Sequence, residues 1–363
     1  MTVFNQKSYN LKDILRMFDI ETDIESYGNG HINDTYLCDI TPKFILQRIN
    51  TNVFKNPDEV MKNIYNVTEH LKKKIIAYGG DVNRETLTVV PTIDNEVYYK
   101  YDDDAYFRMY NFVENSVSID VSDDPTILCN AGKAFGKFQR LLSDFPAETL
   151  YETIVDFHNT NMRVQQLEDA IKNNLSGRLY DVSEEIEFAK DYSKYAGCIT
   201  DGIKNGEVLL RVTHNDTKLN NILFDEKTLE GICVIDLDTV MPGSVLYDFG
   251  DALRFGASSC AEDETDLSKI WFDLDKFEAF TKGFLSETGK HLTPKEIELL
   301  PLSALILTYE CGIRFLADHI NGDTYFKIHR ENHNLDRARN QFALVVDIEK
   351  KLGQMRDIVK KYL

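Results

Sequence analysis

No C-x-x-C pair occurs in this 363-residue chain, and its six cysteines (Cys38, Cys129, Cys198, Cys233, Cys260 and Cys311) are scattered. That excludes a disulfide framework and a cysteine-based metal site. The cysteines read as buried free thiols of a reducing compartment. Positive charge is scarce: 41 Lys and Arg stand against 60 Asp and Glu, a net charge of −19. With no sustained basic patch, such a chain repels nucleic acid and anionic lipid, and a small neutral or cationic partner suits its field. Met1-Thr-Val-Phe-Asn-Gln-Lys7 has no apolar segment of the signal-peptide kind. The longest apolar stretch, about Leu299 to Leu307, carries Pro301 and Ser303 and is too short to span a bilayer. The expectation is a cytoplasmic protein with no membrane, nucleic-acid or protein partner. Repeats and low-complexity tracts are also lacking. What is present is 43% hydrophobic content, enough for one or two lobes with a large core.

One segment carries most of the chemistry. His214-Asn-Asp216-Thr-Lys218-Leu-Asn-Asn221 has the spacing H-x-D-x-x-x-x-N, and Asp236 follows twenty residues after Asp216. Protein kinases use that spacing to set a catalytic Asp, a metal-binding Asn and a metal-binding Asp around a nucleoside triphosphate. Phosphoryl transfer needs a carboxylate to take the attacking hydroxyl's proton, and oxygen ligands for Mg2+. Asp216 is the candidate base, with Asn221 and Asp236 as metal ligands. Lys218 adds positive charge beside the transferred group. The apolar runs Glu207–Thr213, Ile222–Phe224 and Gly231–Ile235 predict three short strands that bring Asn221 and Asp236 together.

The remaining pattern divides near Val113. Residues 1–113 are strand-rich, with strands over 32–39, 43–49, 86–92, 96–101 and 105–113 and one helix from Pro57 to about Ile76. Asp102-Asp-Asp104 reads as a hairpin turn. Residues 114–363 are mainly helical, with helices over 126–142, 153–172, 182–204, 267–287, 294–320 and 334–363. The expected fold is α+β, with a small antiparallel sheet plus helix followed by a larger helical lobe.

Joined to that layout, the motif resembles the protein-kinase-like superfamily, in its aminoglycoside phosphotransferase/choline kinase branch. Tyr247-Asp-Phe-Gly-Asp-Ala-Leu-Arg254, Phe107-Arg-Met-Tyr-Asn-Phe-Val-Glu114, Glu152–Thr160 and Gly312–Phe326 sharpen the resemblance toward N-acetylhexosamine 1-kinases of that branch. The resemblance covers nearly the whole chain. It implies Mg·ATP between two lobes, a small neutral sugar on the helical lobe, and transfer to the anomeric C1 hydroxyl of GlcNAc or GalNAc. It also leaves other activities of the branch open, on an aminoglycoside, choline or methylthioribose, and a nucleotide-binding pseudokinase scaffold.

The resemblance places further residues. Gly28 and Gly30 belong to a phosphate-covering loop, although a full G-x-G-x-x-G is lacking. Asn111, Phe112 and Val113 form a hinge facing adenine, with Ile45, Met109 and Leu223 as walls. His31, Phe255, Arg314 and Tyr325 are the sugar-binding candidates. For Arg314 a salt bridge with Asp248 or Asp251 is the structural alternative, and for Phe255 and Tyr325 it is core packing. His158 and His214 read as structural, and Asp238 as a supporting carboxylate. One departure stands out. Where kinases of this kind have a strand lysine, this chain has Gln47, followed by Arg48. Neighbouring strand residues face opposite sides, so only one of them points to the phosphates. Gln47 is the preferred reading, and the helix partner, Glu59 or Glu69, stays open.

Overall fold

The computed structural model describes residues 9–28 and 32–363, which fall into two compact units, one ending at Asn115 and the other beginning at Ser116. The division thus lies two residues beyond the expected boundary at Val113.

The first unit holds α1 (Leu11–Arg16), β1 (Ile24–Ser26), β2 (Asp34–Cys38), β3 (Phe44–Ile49), α2 (Pro57–Ala77), α3 (Val82–Glu85), β4 (Val89–Val90), β5 (Tyr99–Asp102) and β6 (Ala105–Asn111). The sheet is antiparallel, in the order β1-β2-β3-β6-β4, and β5 also pairs with β6. Alternation sorts its side chains. Leu46, Phe107 and Met109 pack with Ile14 and Leu15 of α1 on one face. The β5–β6 hairpin turns at Asp103-Asp104, as expected, with the Asp104 amide bonded to Asp102. Pro57 opens α2 at its first turn beside Asp58 and Glu59, where fixed φ and negative charge both favour a helix start.

The second unit contains β7 (Ser116–Ser118), α4 (Pro125–Leu141), α5 (Thr160–Asn173), α6 (Ser183–Tyr192), α7 (Cys198–Lys204), β8 (Arg211–Thr213), β9 (Ile222–Asp225), β10 (Gly231–Val234), β11 (Met241–Gly243), α8 (Val245–Gly256), α9 (Leu274–Thr288), α10 (Pro294–Asn321) and α11 (His333–Lys361). β9 is central to the three-stranded sheet β10-β9-β7, and β11 pairs with β8. Helix α10 is the axis of this unit. A Thr293/Glu296 capping box starts it, Pro294 occupies its first turn, and Gly322 ends it in the left-handed region at φ 95°. Its length and composition would suffice to cross a membrane, contrary to the short apolar run expected. However, 89% of its most apolar window is buried inside the unit. Close helix approach depends on glycines at the crossings, Gly283 and Gly250 among them. A Cβ on Gly283 of α9 would lie 1.9 Å from the Cys129 carbonyl of α4, and one on Gly250 of α8 would lie 2.6 Å from the Ser303 carbonyl of α10.

Several expected helices are interrupted. The one expected from residue 153 begins at Thr160, because the Asn159 side chain caps it, and residues 153–159 turn inward instead. The 182–204 segment breaks at residues 193–197, and the 267–287 segment breaks where Phe272 bridges to Ser258 and Asp273 caps α9. Helix α8 had no helical assignment from the sequence. Cys38, Cys233 and Cys311 are buried free thiols, whereas Cys129, Cys198 and Cys260 are only partly covered.

Candidate active site

The H-x-D-x-x-x-x-N motif folds as a loop between β8 and β9. Its backbone is held by two buried carboxylates of α8. Asp248 accepts from the amides of His214 (3.0 Å) and Asn215 (2.8 Å) and from the Gln139 side chain (2.6 Å). Asp251 accepts from the Thr217 amide at 3.0 Å and pairs with Arg254 at 3.2 Å. Burial pushes the Asp248 carboxyl above the usual carboxylate range. Burial works in the same direction on Asp251, but Arg254, His158 and Lys218 together with the Thr217 amide outweigh it and the pKa is lowered. Hydrogen bonds to such charged groups contribute about 1.5–3 kcal/mol each, so the loop is rigidly placed. Asn215 adopts a left-handed backbone (φ 66°), which Asn tolerates, and its side chain bonds the Thr213 and Thr239 carbonyls.

Asp216 projects from this frame. Its Oδ1 meets Lys218 Nζ at 2.9 Å. Asn221 Nδ2 donates to both the Asp216 carbonyl (2.7 Å) and Oδ2 (3.1 Å). The Lys218 ammonium is disfavoured by burial, yet the Asp216 charge prevails and its pKa is raised. His214 braces the loop as expected. The Asp216 amide donates to its Nδ1, so the Nε2–H donates to the Ile235 carbonyl at 2.8 Å. The Phe135 and Phe138 rings of α4 meet the imidazole edge-on.

The two metal-ligand candidates are brought together. The Ile235 amide donates to the Asn221 carbonyl at 2.9 Å, next to the Val234–Ile222 ladder pair, so Asn221 and Asp236 sit at adjoining strand ends. Because the Asn221 NH2 group is spent on Asp216, its Oδ1 is the atom left for a cation. Two protein oxygens of this kind suit a hard divalent ion that completes its shell with phosphate and water. Among the described residues no cluster of three or more His, Cys, Asp or Glu would hold an ion unaided. Asp238 is buried in the turn after Asp236, where its carbonyl accepts from Thr153.

The acceptor candidates in this unit fall into two groups. Phe255 ends α8 with Arg254 stacked 3.8 Å over its ring and Lys218 Nζ 5.5 Å away. Arg314 lies among the Phe157, Phe326 and Tyr325 rings at 5.6, 5.5 and 5.9 Å. Neither Asp248 nor Asp251 forms the alternative salt bridge with it. Tyr325 is exposed and is not core. The loop carrying it is fixed by Asp318, which accepts from the amides of Thr324, Tyr325 and Phe326. The anchors Asp248, Asp251, Asp318, Gln139 and Glu310 were missed as functional positions. The available signal was polar residues within otherwise apolar helices.

In the first unit, register puts Gln47 and Arg48 on opposite faces of β3. Gln47 pairs with Arg108, whose guanidinium donates to Gln47 Oε1 at 2.9 and 3.1 Å and also reaches Met61 of α2. Arg48 lies on the opposite face, bonded to Asp34 at 2.7 Å and over the Tyr9 ring. Neither Glu59 nor Glu69 pairs with Gln47, and Glu69 bonds Lys72 instead. The Asn111 and Phe112 amides are committed to the Thr88 and Lys43 carbonyls, so these two hinge residues have no main-chain donor left for a base. Val113 and Met109 are buried, as is Leu46, while Ile45 and Leu223 are half-buried. Gly28 has φ 74°, a conformation few other residues adopt. Gly30 and His31 lie outside the described residues.

A model of the phosphotransferase enzyme family matches residues 23–280, and the chain belongs to that family. Solved structures agree on the fold. An aminoglycoside phosphotransferase from Alicyclobacillus acidocaldarius superposes with a TM-score of 0.65 at 13% identity, covering 99% of both chains. A choline kinase from Cryptosporidium parvum gives 0.58 at 13% identity, covering 92% of this chain and 90% of the other. An amicoumacin kinase, solved with AMP-PNP, Ca2+ and its antibiotic, gives 0.55 at 12% identity over 97% and 94%. The protein is therefore a member of the phosphotransferase enzyme family, with an α+β fold shared with these kinases.

Proposed function

We propose that this phosphotransferase transfers the γ-phosphoryl group of ATP to the anomeric C1 hydroxyl of an N-acetylhexosamine, in the cytoplasm. The observation carrying the acceptor class is Arg314. It sits in a cage of aromatic rings, it makes no hydrogen bond to the described residues, and the carboxylates one turn either side of it on its helix are already bonded, Glu310 to His158 and Thr160 and Asp318 to the amides of residues 324–326. Guanidinium donors beside aromatic faces suit a neutral polyhydroxyl ring carrying an acetamido group. They disfavour the cationic acceptors, choline or an aminoglycoside, which need unpaired carboxylates.

Asp216 accepts the proton as the C1 oxygen bonds the γ-phosphorus and the bond to the β-phosphate oxygen breaks. Asn221 Oδ1 and Asp236 hold the divalent ion, Mg2+ in this reading, which neutralises charge on the triphosphate. The nucleotide-bound amicoumacin kinase supports such a partnership. Lys218 sits 2.9 Å from Asp216 and offers positive charge to the transferring group. Arg314, Tyr325 and Phe255 orient the sugar.

The acceptor is tested with a panel of 2-acetamido sugars, aminocyclitols and choline. The product should show phosphorus coupled to the anomeric proton by NMR, and the methyl glycoside should not react. Turnover of the glycoside, or coupling to C6 protons, defeats C1 transfer. Arg314→Ala should raise sugar KM roughly tenfold or more, the value of a hydrogen bond to a charged group, while leaving ATP KM unchanged.

Gln47 supports nucleotide binding from β3, fixed from behind by Arg108. Gln47→Ala should therefore raise ATP KM several-fold, and Arg48→Ala, on the other face, should change it little. The reverse ranking would show that Arg48 takes the role of the strand lysine.

A further inference from the structure

Behind the catalytic loop lies a buried polar chain that the transfer chemistry above does not use. His158 Nδ1 is 2.8 Å from Glu310 Oε1, and its Nε2 is 3.1 Å from the Asn215 carbonyl oxygen. Thr160 Oγ1 donates to the other Glu310 oxygen at 2.6 Å. His158, Thr160 and Glu310 are all buried. The Asn215 carbonyl has no proton to give, so Nε2 must carry one. A carboxylate facing Nδ1 needs a proton there too.

We propose that His158 is held as an imidazolium and acts as a positioning residue, its Nε2–H fixing the Asn215 carbonyl and so the direction in which Asp216 leaves the loop. Asn215 stands in the left-handed region, where its peptide has no helix or strand to hold it. The Asp248 carboxylate grips its amide, and His158 grips its carbonyl. The loop is thus clamped on both sides one residue before the base.

The surroundings fit a cation. From α10, Glu310 faces His158 directly, and Arg314 lies beyond Glu310. From α8, Asp251 is within electrostatic range and the Tyr247 ring lies 5.3 Å away, while Arg163 of α5 flanks Glu310 from the other side. Burial alone would lower the histidine pKa, but Glu310 more than reverses this and the net direction is upward. Burial would raise Glu310, and His158 reverses that as well. A raised histidine contributes its full stabilisation below the unfolded value of about 6.5 and loses it only as pH climbs through the higher folded value. The His158 charge is therefore lost only above the range in which an ordinary histidine titrates. Glu310 also stands one helical turn before Arg314, so one carboxylate backs both the loop clamp and the acceptor anchor.

The role rests on Asp216 being the base, and the test separates the two. Protein labelled with 15N at its eight histidines is compared with His158→Asn. The resonances lost in the variant should show both ring nitrogens protonated at pH about 8, where an ordinary histidine is neutral. A neutral tautomer there overturns the proposal, whatever the enzyme's activity. The Asp216 amide resonance should also move in His158→Asn, and an unmoved resonance counts against positioning. In kinetics, kcat per folded molecule should fall about tenfold or more with ATP KM unchanged. His158→Gln, which can still donate to the carbonyl, should recover part of that loss. Glu310→Gln should leave His158 as the neutral Nε2–H tautomer at pH about 8, read as one protonated ring nitrogen instead of two, because the carboxylate that needs the Nδ1 proton is gone. A lowered Tm with unchanged kcat in His158→Asn would reduce the pair to a packing role and overturn the proposal.

Discussion

Asp216→Asn lowers kcat by about 10²–10⁴-fold, the usual cost of removing a general base. The substitution keeps the shape of the side chain and its bond from Asn221, and the loop stays clamped by Asp248 and Asp251. The fold and nucleotide affinity should therefore survive. Only the proton acceptor and the charge facing Lys218 are lost. Steady-state kinetics with a nucleotide-binding measurement on the same sample check this. Turnover near the wild-type level would remove Asp216 from the reaction. Lost nucleotide binding would instead mean that it belongs to the ion site.

Asp236→Ala and Asn221→Ala each remove one of the two protein oxygens available to the ion. Lewis-acid neutralisation is worth several kcal/mol, so each should cost at least about 10²-fold in kcat and raise the divalent-ion requirement. The two variants should differ. Asn221 also holds the Asp216 carbonyl and carboxylate through Nδ2. Asn221→Ala should therefore remain impaired at saturating metal, whereas Asp236→Ala should recover part of its rate. Activity titrations in Mg2+ for both variants read the difference. Full activity of either protein in excess chelator would end the metal-assisted scheme.

The motif chemistry and the class of fold were legible in the sequence because they are local. Six residues of spacing fix Asp216 relative to Asn221, and a short hairpin brings Asp236 to the same edge. Long periodic helices such as α2, α4, α10 and α11 were legible for the same reason, since burial on one face imposes a 3.6-residue period. Register and tertiary contact decided the rest. Period-2 alternation said that Gln47 and Arg48 face opposite sides, but only pairing with Arg108 and Asp34 showed which side each takes. Helix α8 is short and buried almost throughout, and its Asp248 and Asp251 acquire meaning only beside a loop more than thirty residues earlier. Arg314 could equally have been a salt bridge until the rings of Phe157, Tyr325 and Phe326 were found around it. The sequence by itself determined the class of fold and the loop that carries the candidate groups, because the motif spacing is local. The tertiary structure decided which groups hold them in place, because those partners are brought close only by burial of apolar surface between distant segments.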